Sequence, residues 1–118
     1  NAVNRILGFS LKHVGINSGG DEAHKMADFF QEAFGFEKKE GNSSILAGNQ
    51  IEVTKKAFPG AKGHIAIGTN SIDRAIYHLE RRGFNFNYDT AKKNDKGAIA
   101  AIYLKDEIGG FAIHLVKN

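Results

Sequence analysis

The feature that most constrains this chain is a motif that occurs twice. His13-Val14-Gly15-Ile16 returns as His64-Ile65-Ala66-Ile67, and the segments after each copy come in the same order. A polar, glycine-containing turn comes first, then an amphipathic helical pattern, a Gly-Phe break and three strand-like segments. In the first half, Ala23, Met26, Ala27, Phe30 and Phe34 recur at three- and four-residue steps. That spacing predicts a helix from Asp21 to Phe34 with one apolar face, ended by Gly35. In the second half, Ile72, Ala75, Ile76 and Leu79 predict a helix from Ser71 to Arg82, with Asn70 as its N-cap and Gly83 as its stop. Strands are expected at Phe36 to Lys39, Ser44 to Ala47 and Gln50 to Lys55, then at Asn85 to Tyr88, Ala98 to Lys105 and Gly110 to Val116. Each half therefore reads βαβββ, over 3–57 and 64–118, with Phe58 to Gly63 as the linker. The expectation is one α+β domain, 1–118, in which two βαβββ modules form a curved mixed sheet with helices on its outer face. At 118 residues the chain has the size of one domain, large enough to bury roughly two-thirds of its unfolded surface.

Alternation along strands then sorts the polar residues, because neighbouring side chains point to opposite faces of a sheet. His13 is followed by Val14, with Ile16 in phase with it, and His64 is followed by Ile65 and Ile67. Glu52 lies between Ile51 and Val53, and His114 between Ile113 and Leu115. The aliphatic neighbours would face a helix, and the four polar residues would face the other way. Gly15, Ala66, Gly68 and Ala112 share that polar face and leave room above it. Imidazole and carboxylate groups gathered on a concave sheet suit zinc, nickel, cobalt, manganese or iron(II), together with a small substrate. His13, Glu52, His64 and His114 are the expected ligands of one divalent cation. His24 and His78 fall within the helical patterns and read as helix-surface residues.

Composition limits the alternatives. The chain has no cysteine, which excludes disulfides, thiolate zinc sites and cysteine nucleophiles. Its net charge of +3 comes from lysines spread in pairs such as Lys38-Lys39, Lys55-Lys56 and Lys92-Lys93, a pattern of solvated surface rather than of a nucleic-acid patch. No apolar run is long enough to span a membrane and no signal segment opens the chain, so the expected location is the cytoplasm. Asn1 and Ala2 read as a remnant of expression ahead of the natural sequence.

The strand motifs "HVGI", "QIEV", "GHIAI" and "FAIHLV", in this order, resemble the glyoxalase/bleomycin-resistance/extradiol-dioxygenase group, the vicinal oxygen chelate superfamily. The resemblance covers nearly the whole chain. It implies metal ligands on the first and last strand of each module, which are His13 and Glu52, then His64 and His114. The stretches "LGFSLKHVGINSGG", "EGNSSILAGNQIEV", "GHIAIGTN" and "AIYHLERRGFNFN" are similar to the glyoxalase-like C-terminal extension of some bacterial 2-keto-3-deoxy-6-phosphogluconate/4-hydroxy-2-oxoglutarate aldolases. That likeness implies a fused aldolase domain elsewhere in a longer protein. In glyoxalases the position of His114 is commonly a glutamate that serves as both ligand and base. Three neutral histidines with one glutamate leave the site about one charge more positive than two glutamates would, which favours an anionic oxo-acid or sugar acid.

The expected chemistry is metal-assisted, on adjacent oxygens of a small 2-oxo or 2-hydroxy acid, of the lyase or isomerase type. Glu52 is the candidate base and Tyr103 a candidate hydrogen-bond donor. Two other readings stand beside it: a non-catalytic ligand-sensing or assembly domain, and a structural metal site closed by four protein ligands. A homodimer that exchanges halves between chains is a further possibility for how the cleft closes.

Overall fold

A computed structural model describes residues 2–56 and 58–118. Asn1, half of the suspected expression remnant, and Ala57, the expected end of the first module, lie outside the described residues. The chain runs α1 (Ala2–Leu7), β1 (Ser10–Asn17), α2 (Gly20–Phe34), β2 (Lys38–Glu40), β3 (Ser44–Ala47) and β4 (Ile51–Thr54). It continues with β5 (Gly63–Thr69), α3 (Ile72–Arg81), β6 (Phe86–Lys93), β7 (Ile99–Leu104) and β8 (Phe111–Lys117). All the strands join one mixed sheet in the order β2-β3-β4-β1-β5-β8-β7-β6. No described helix is long and apolar enough to cross a membrane.

The first and last strands of each half pair in parallel, β1 with β4 and β5 with β8. The two first strands then meet antiparallel at the centre. His13 stands to Gly15 and Glu52 as His64 stands to Ala66 and His114, because Gly15 pairs with Glu52 and Ala66 with His114.

Each helix covers its own half. Ala23 and Ala27 of α2 pack on Ile45 and Val53, and all four are fully buried. Ile72, Ala75 and Ile76 of α3 pack on Ile102 and Leu115. Burial of each isoleucine, leucine or valine here contributes about 1.5–3 kcal/mol, and of each alanine less than about 1 kcal/mol. Small alanines on α2 let its backbone approach the sheet, while the larger α3 residues fill a second core with Leu7 and Phe86.

Several local expectations change. The short helix α1 was not foreseen; its Leu7 is buried, and the Leu7 carbonyl accepts from the Thr69 hydroxyl and the Asn70 amide. The N-cap of α3 is Ser71 rather than Asn70, since the Ser71 hydroxyl accepts from the Arg74 amide. The Asn70 side chain instead accepts from the Asn118 side-chain amide. Gly35 does stop α2, at φ 72°, with its amide on Gln31 and that of Phe36 on Phe30, a turn that glycine makes at least cost. Phe34, expected on the buried stripe, is 62% exposed and lies among Phe29, Phe30 and Phe36. β6 runs five residues past the expected Tyr88, to Lys93.

Candidate metal centre

Cross-strand register builds the site in two adjacent rows on the face away from the helices. One row reads Leu46, Glu52, Gly15, His64 and Ala112, across β3, β4, β1, β5 and β8. The next reads His13, Ala66, His114 and Tyr103, across β1, β5, β8 and β7. Directly paired residues point to the same face, and within each row a residue without a bulky side chain separates the candidate ligands. Gly15 lies between Glu52 and His64, and Ala66 between His13 and His114. The His64 ring occupies the space over Gly15: a Cβ placed there would collide with its Cε1, Nδ1 and Nε2.

The polar groups converge. His13 Nε2 and His64 Nε2 are 3.2 Å apart, and His64 Nε2 is 3.5 Å from Glu52 Oε1. His13 Nε2 is 4.0 Å from Glu52 Oε2. One ring nitrogen each of His13, His64 and His114 lies within 4.8 Å of the others. All four residues belong to one chain, so no exchange of halves is needed to assemble the cluster. Ligand atoms about 2.0–2.1 Å from a tetrahedral zinc stand about 3.3 Å from one another, close to the two shortest separations here.

Hydrogen bonding gives an independent test of the fit. His64 is 3% exposed, yet its Nδ1 has no partner, and the buried His114 Nε2 has none either. Leaving such nitrogens unsatisfied costs about 1–3 kcal/mol each, and native structures rarely tolerate it without a ligand or a functional reason. Because His64 turns its Nε2 and not its Nδ1 toward His13 and Glu52, a divalent cation in this cluster answers the need of the His114 nitrogen alone; the converging nitrogens and carboxylate are otherwise a fitting donor set.

Charge state points the same way. Burial pushes the His114 imidazole down to about 4 from an ordinary 6.5, with His64 and His13 adding to the effect. Burial also lowers His13, against the opposing pull of Glu52. Glu52 is held below the usual carboxylate range chiefly by its hydrogen bond to His64. At neutral pH the cluster presents neutral imidazoles at His13 and His114 and a charged carboxylate, the forms that bind metal.

A pH dependence is expected for the metal-free chain. His13 and His114 have lowered folded pKa values, so the unfolded chain binds more protons below 6.5. Their contribution is present above 6.5 and is lost as pH falls through the folded values. Glu52 has the same sign, with loss beginning near its ordinary 4.5. The urea midpoint is expected to drop steadily between about pH 6.5 and pH 4; a midpoint flat over that range would contradict these environments.

The remaining candidates surround this cluster. Tyr103 stacks on His114, with centroids 4.6 Å apart and planes at 17°, and burial raises its phenol pKa. Phe58, from the linker, lies 6.1 Å from the His64 ring. Its carbonyl and that of Gly60 accept from the Asn17 side-chain amide, while Asn17 Oδ1 accepts from the Thr54 hydroxyl. Neither Phe58 nor Asn17 was singled out from the sequence, since both act through the path of the linker. His24 lies apart on α2, 2.9 Å from Glu40, and His78 lies on α3. An apolar cavity of about 310 Å³ lies elsewhere, beside α3, where Phe9, Ile67, Leu79 and Phe84 are among its lining residues.

No protein-family profile and no curated protein matches the sequence. Solved structures do match. A hypothetical protein from Bacillus halodurans C-125 aligns at TM-score 0.62 with 18% identity, over 93% of this chain and 94% of that one. A Streptomyces coelicolor methylmalonyl-CoA epimerase variant, in complex with 2-nitronate-propionyl-CoA, aligns at TM-score 0.60 with 19% identity, over 92% of this chain and 94% of that one. The methylmalonyl-CoA epimerase of Mycobacterium tuberculosis aligns at 0.58 with 17% identity, over 91% and 86%. At these identities the likeness establishes architecture: the chain has the fold of the methylmalonyl-CoA epimerases, an α+β arrangement of βαβββ units consistent with the vicinal oxygen chelate resemblance.

Proposed function

We propose that this chain binds one divalent metal through His13, Glu52, His64 and His114 and uses it to engage adjacent oxygens of a small 2-oxo or 2-hydroxy acid. The observation that carries the reading is the convergence of three imidazole nitrogens with the Glu52 carboxylate, with an unpartnered buried nitrogen on His114. The metal would be zinc, nickel, manganese or iron(II), and when bound it supplies Lewis acidity at the substrate oxygens. His13 and Glu52 side chains are 25% and 21% exposed, which leaves the cluster reachable from one side. That openness favours a substrate site over a structural one sealed by its protein ligands.

Within this reading His114 and His64 hold position from β8 and β5, while Glu52 has a double role. Its low pKa suits a ligand. To act as a base at the carbon beside a carbonyl it must turn away from the cluster, toward the solvent that its 21% exposed side chain already meets. Tyr103, stacked on His114, would donate a hydrogen bond to an oxygen of the acid. Proton movement of this kind belongs with isomerase, epimerase or lyase chemistry, and methylmalonyl-CoA epimerases have this fold. A fused 2-keto-3-deoxy-6-phosphogluconate/4-hydroxy-2-oxoglutarate aldolase remains part of the proposal on the strength of the sequence resemblance, with the modules 3–57 and 64–118 as its glyoxalase-like part.

Proton exchange tests the catalytic half. In deuterated buffer with metal-loaded protein, 2-oxo acids are expected to lose the proton at the neighbouring carbon. Glu52→Gln is expected to slow this by about 100-fold or more. Exchange at the parent rate in Glu52→Gln would remove Glu52 as base. Binding without exchange in the parent chain would favour the ligand-sensing reading.

A further inference from the structure

Two lysines on the same concave face are not used by the metal reading. In β1, Leu11 pairs with Ile67 and His13 with Ala66, so Lys12 is an extra residue in a β-bulge. Strict alternation would send Lys12 to the helix side. Gly68 shares the concave face with Ala66, two residues away, and a Cβ built on Gly68 would meet the Lys12 Cγ and Cε and Asn118 Oδ1. The stem of Lys12 therefore lies across Gly68, on the side of the histidines. The bulge has turned it inward.

The second lysine arrives from the far edge. Gly68 pairs with Val116, Val116 with Ala101 and Ala101 with Lys92. This row lies directly beside the row of His13, Ala66, His114 and Tyr103. Three strand spacings, about 14 Å, separate the ends of the new row; the Lys12 stem lies over one end, and Lys92, paired with Ala101 between two irregularities of the β6 ladder, stands at the other with a flexible four-carbon stem. Only Val116 and Ala101 stand between. Among the described residues neither Lys12 nor Lys92 makes an ion pair or side-chain hydrogen bond.

We propose that Lys12 and Lys92 form an anion subsite for a second acidic group, a carboxylate or phosphate, of a substrate whose adjacent oxygens reach the four-residue cluster. The subsite selects dianionic over monoanionic oxo-acids. Its placement relative to the metal rests on the function proposed above; the lysine pair itself does not.

Amide NMR separates the two. In metal-free protein, titration with inorganic phosphate is expected to shift signals of Gly68, Ala101 and Val116, and the shifts are expected to vanish in a Lys12→Met/Lys92→Met double variant that keeps the apolar stems. In zinc-loaded protein, 2-oxoglutarate is expected to bind about 10-fold tighter than 2-oxobutyrate, which lacks the distal carboxylate. That ratio falls to about one in the double variant, while zinc affinity is unchanged. A 3-phosphohydroxypyruvate arm reports whether phosphate or carboxylate is preferred. Phosphate shifts outside this strip, or undiminished in the double variant, would overturn the subsite, and so would equal binding of the two oxo-acids. Strip-confined shifts in a chain that takes up no zinc would support the lysine subsite and remove the metal reading alone.

Discussion

His64→Ala is expected to weaken metal binding by about 1,000-fold while costing the metal-free fold less than about 2 kcal/mol. The asymmetry comes from where the ring lies. His64 is 3% exposed, its Nε2 faces His13 and Glu52, and its Nδ1 has no partner. Truncation removes a ring from a buried place, which costs packing, but it also removes an unsatisfied buried nitrogen, which offsets part of that loss. A histidine kept for packing would show the reverse pattern, with a large loss of stability and little change in metal affinity. Calorimetric zinc titration and urea unfolding of the metal-free variant read the two quantities separately.

Gly15→Ala carries the second large effect. Gly15 does not have a positive φ, so an alanine there meets no backbone strain. Its cost is purely the collision with the His64 ring. The ring must leave the space between Glu52 and His13, and metal affinity is expected to fall at least about 100-fold with a stability loss of about 1–3 kcal/mol. In a His64→Ala background the same substitution is expected to be neutral or stabilising by about 0.5 kcal/mol, the usual gain of replacing glycine in a strand. A double-mutant cycle on unfolding free energies checks this; additive effects would show that Gly15 does not shape the place of His64.

How much of this was legible in the sequence depended on the range of the interaction involved. Helix α2 was expected from Ala23 and Ala27 at a four-residue step, and β3 at Ser44–Ala47, where it lies. The shared face of His13, Glu52, His64 and His114 was legible because alternation is a local rule. Their distances were not, since these depend on Gly15 pairing with both Glu52 and His64. The inward turn of Lys12 was hidden for the same reason: a bulge is a property of two strands. Phe34 misled because its helical phase is apolar, yet it falls beyond the last turn that meets the sheet. The polar stretch Asp89 to Lys93 carries no strand signal, since β6 is an edge strand with one neighbour and buries little beyond Phe86. Helix α1 is too short for periodicity to register, and its docking depends on Thr69, far along the chain.

In the proposed function, residues from both halves of one chain hold a single metal ion. X-ray absorption on the zinc-loaded chain, with bound zinc counted in the same sample, tests it most directly. One zinc per chain with three imidazole nitrogens and one carboxylate oxygen in its shell is the predicted result. A folded chain that takes up no stoichiometric zinc, or a shell with fewer than three imidazoles, would contradict it.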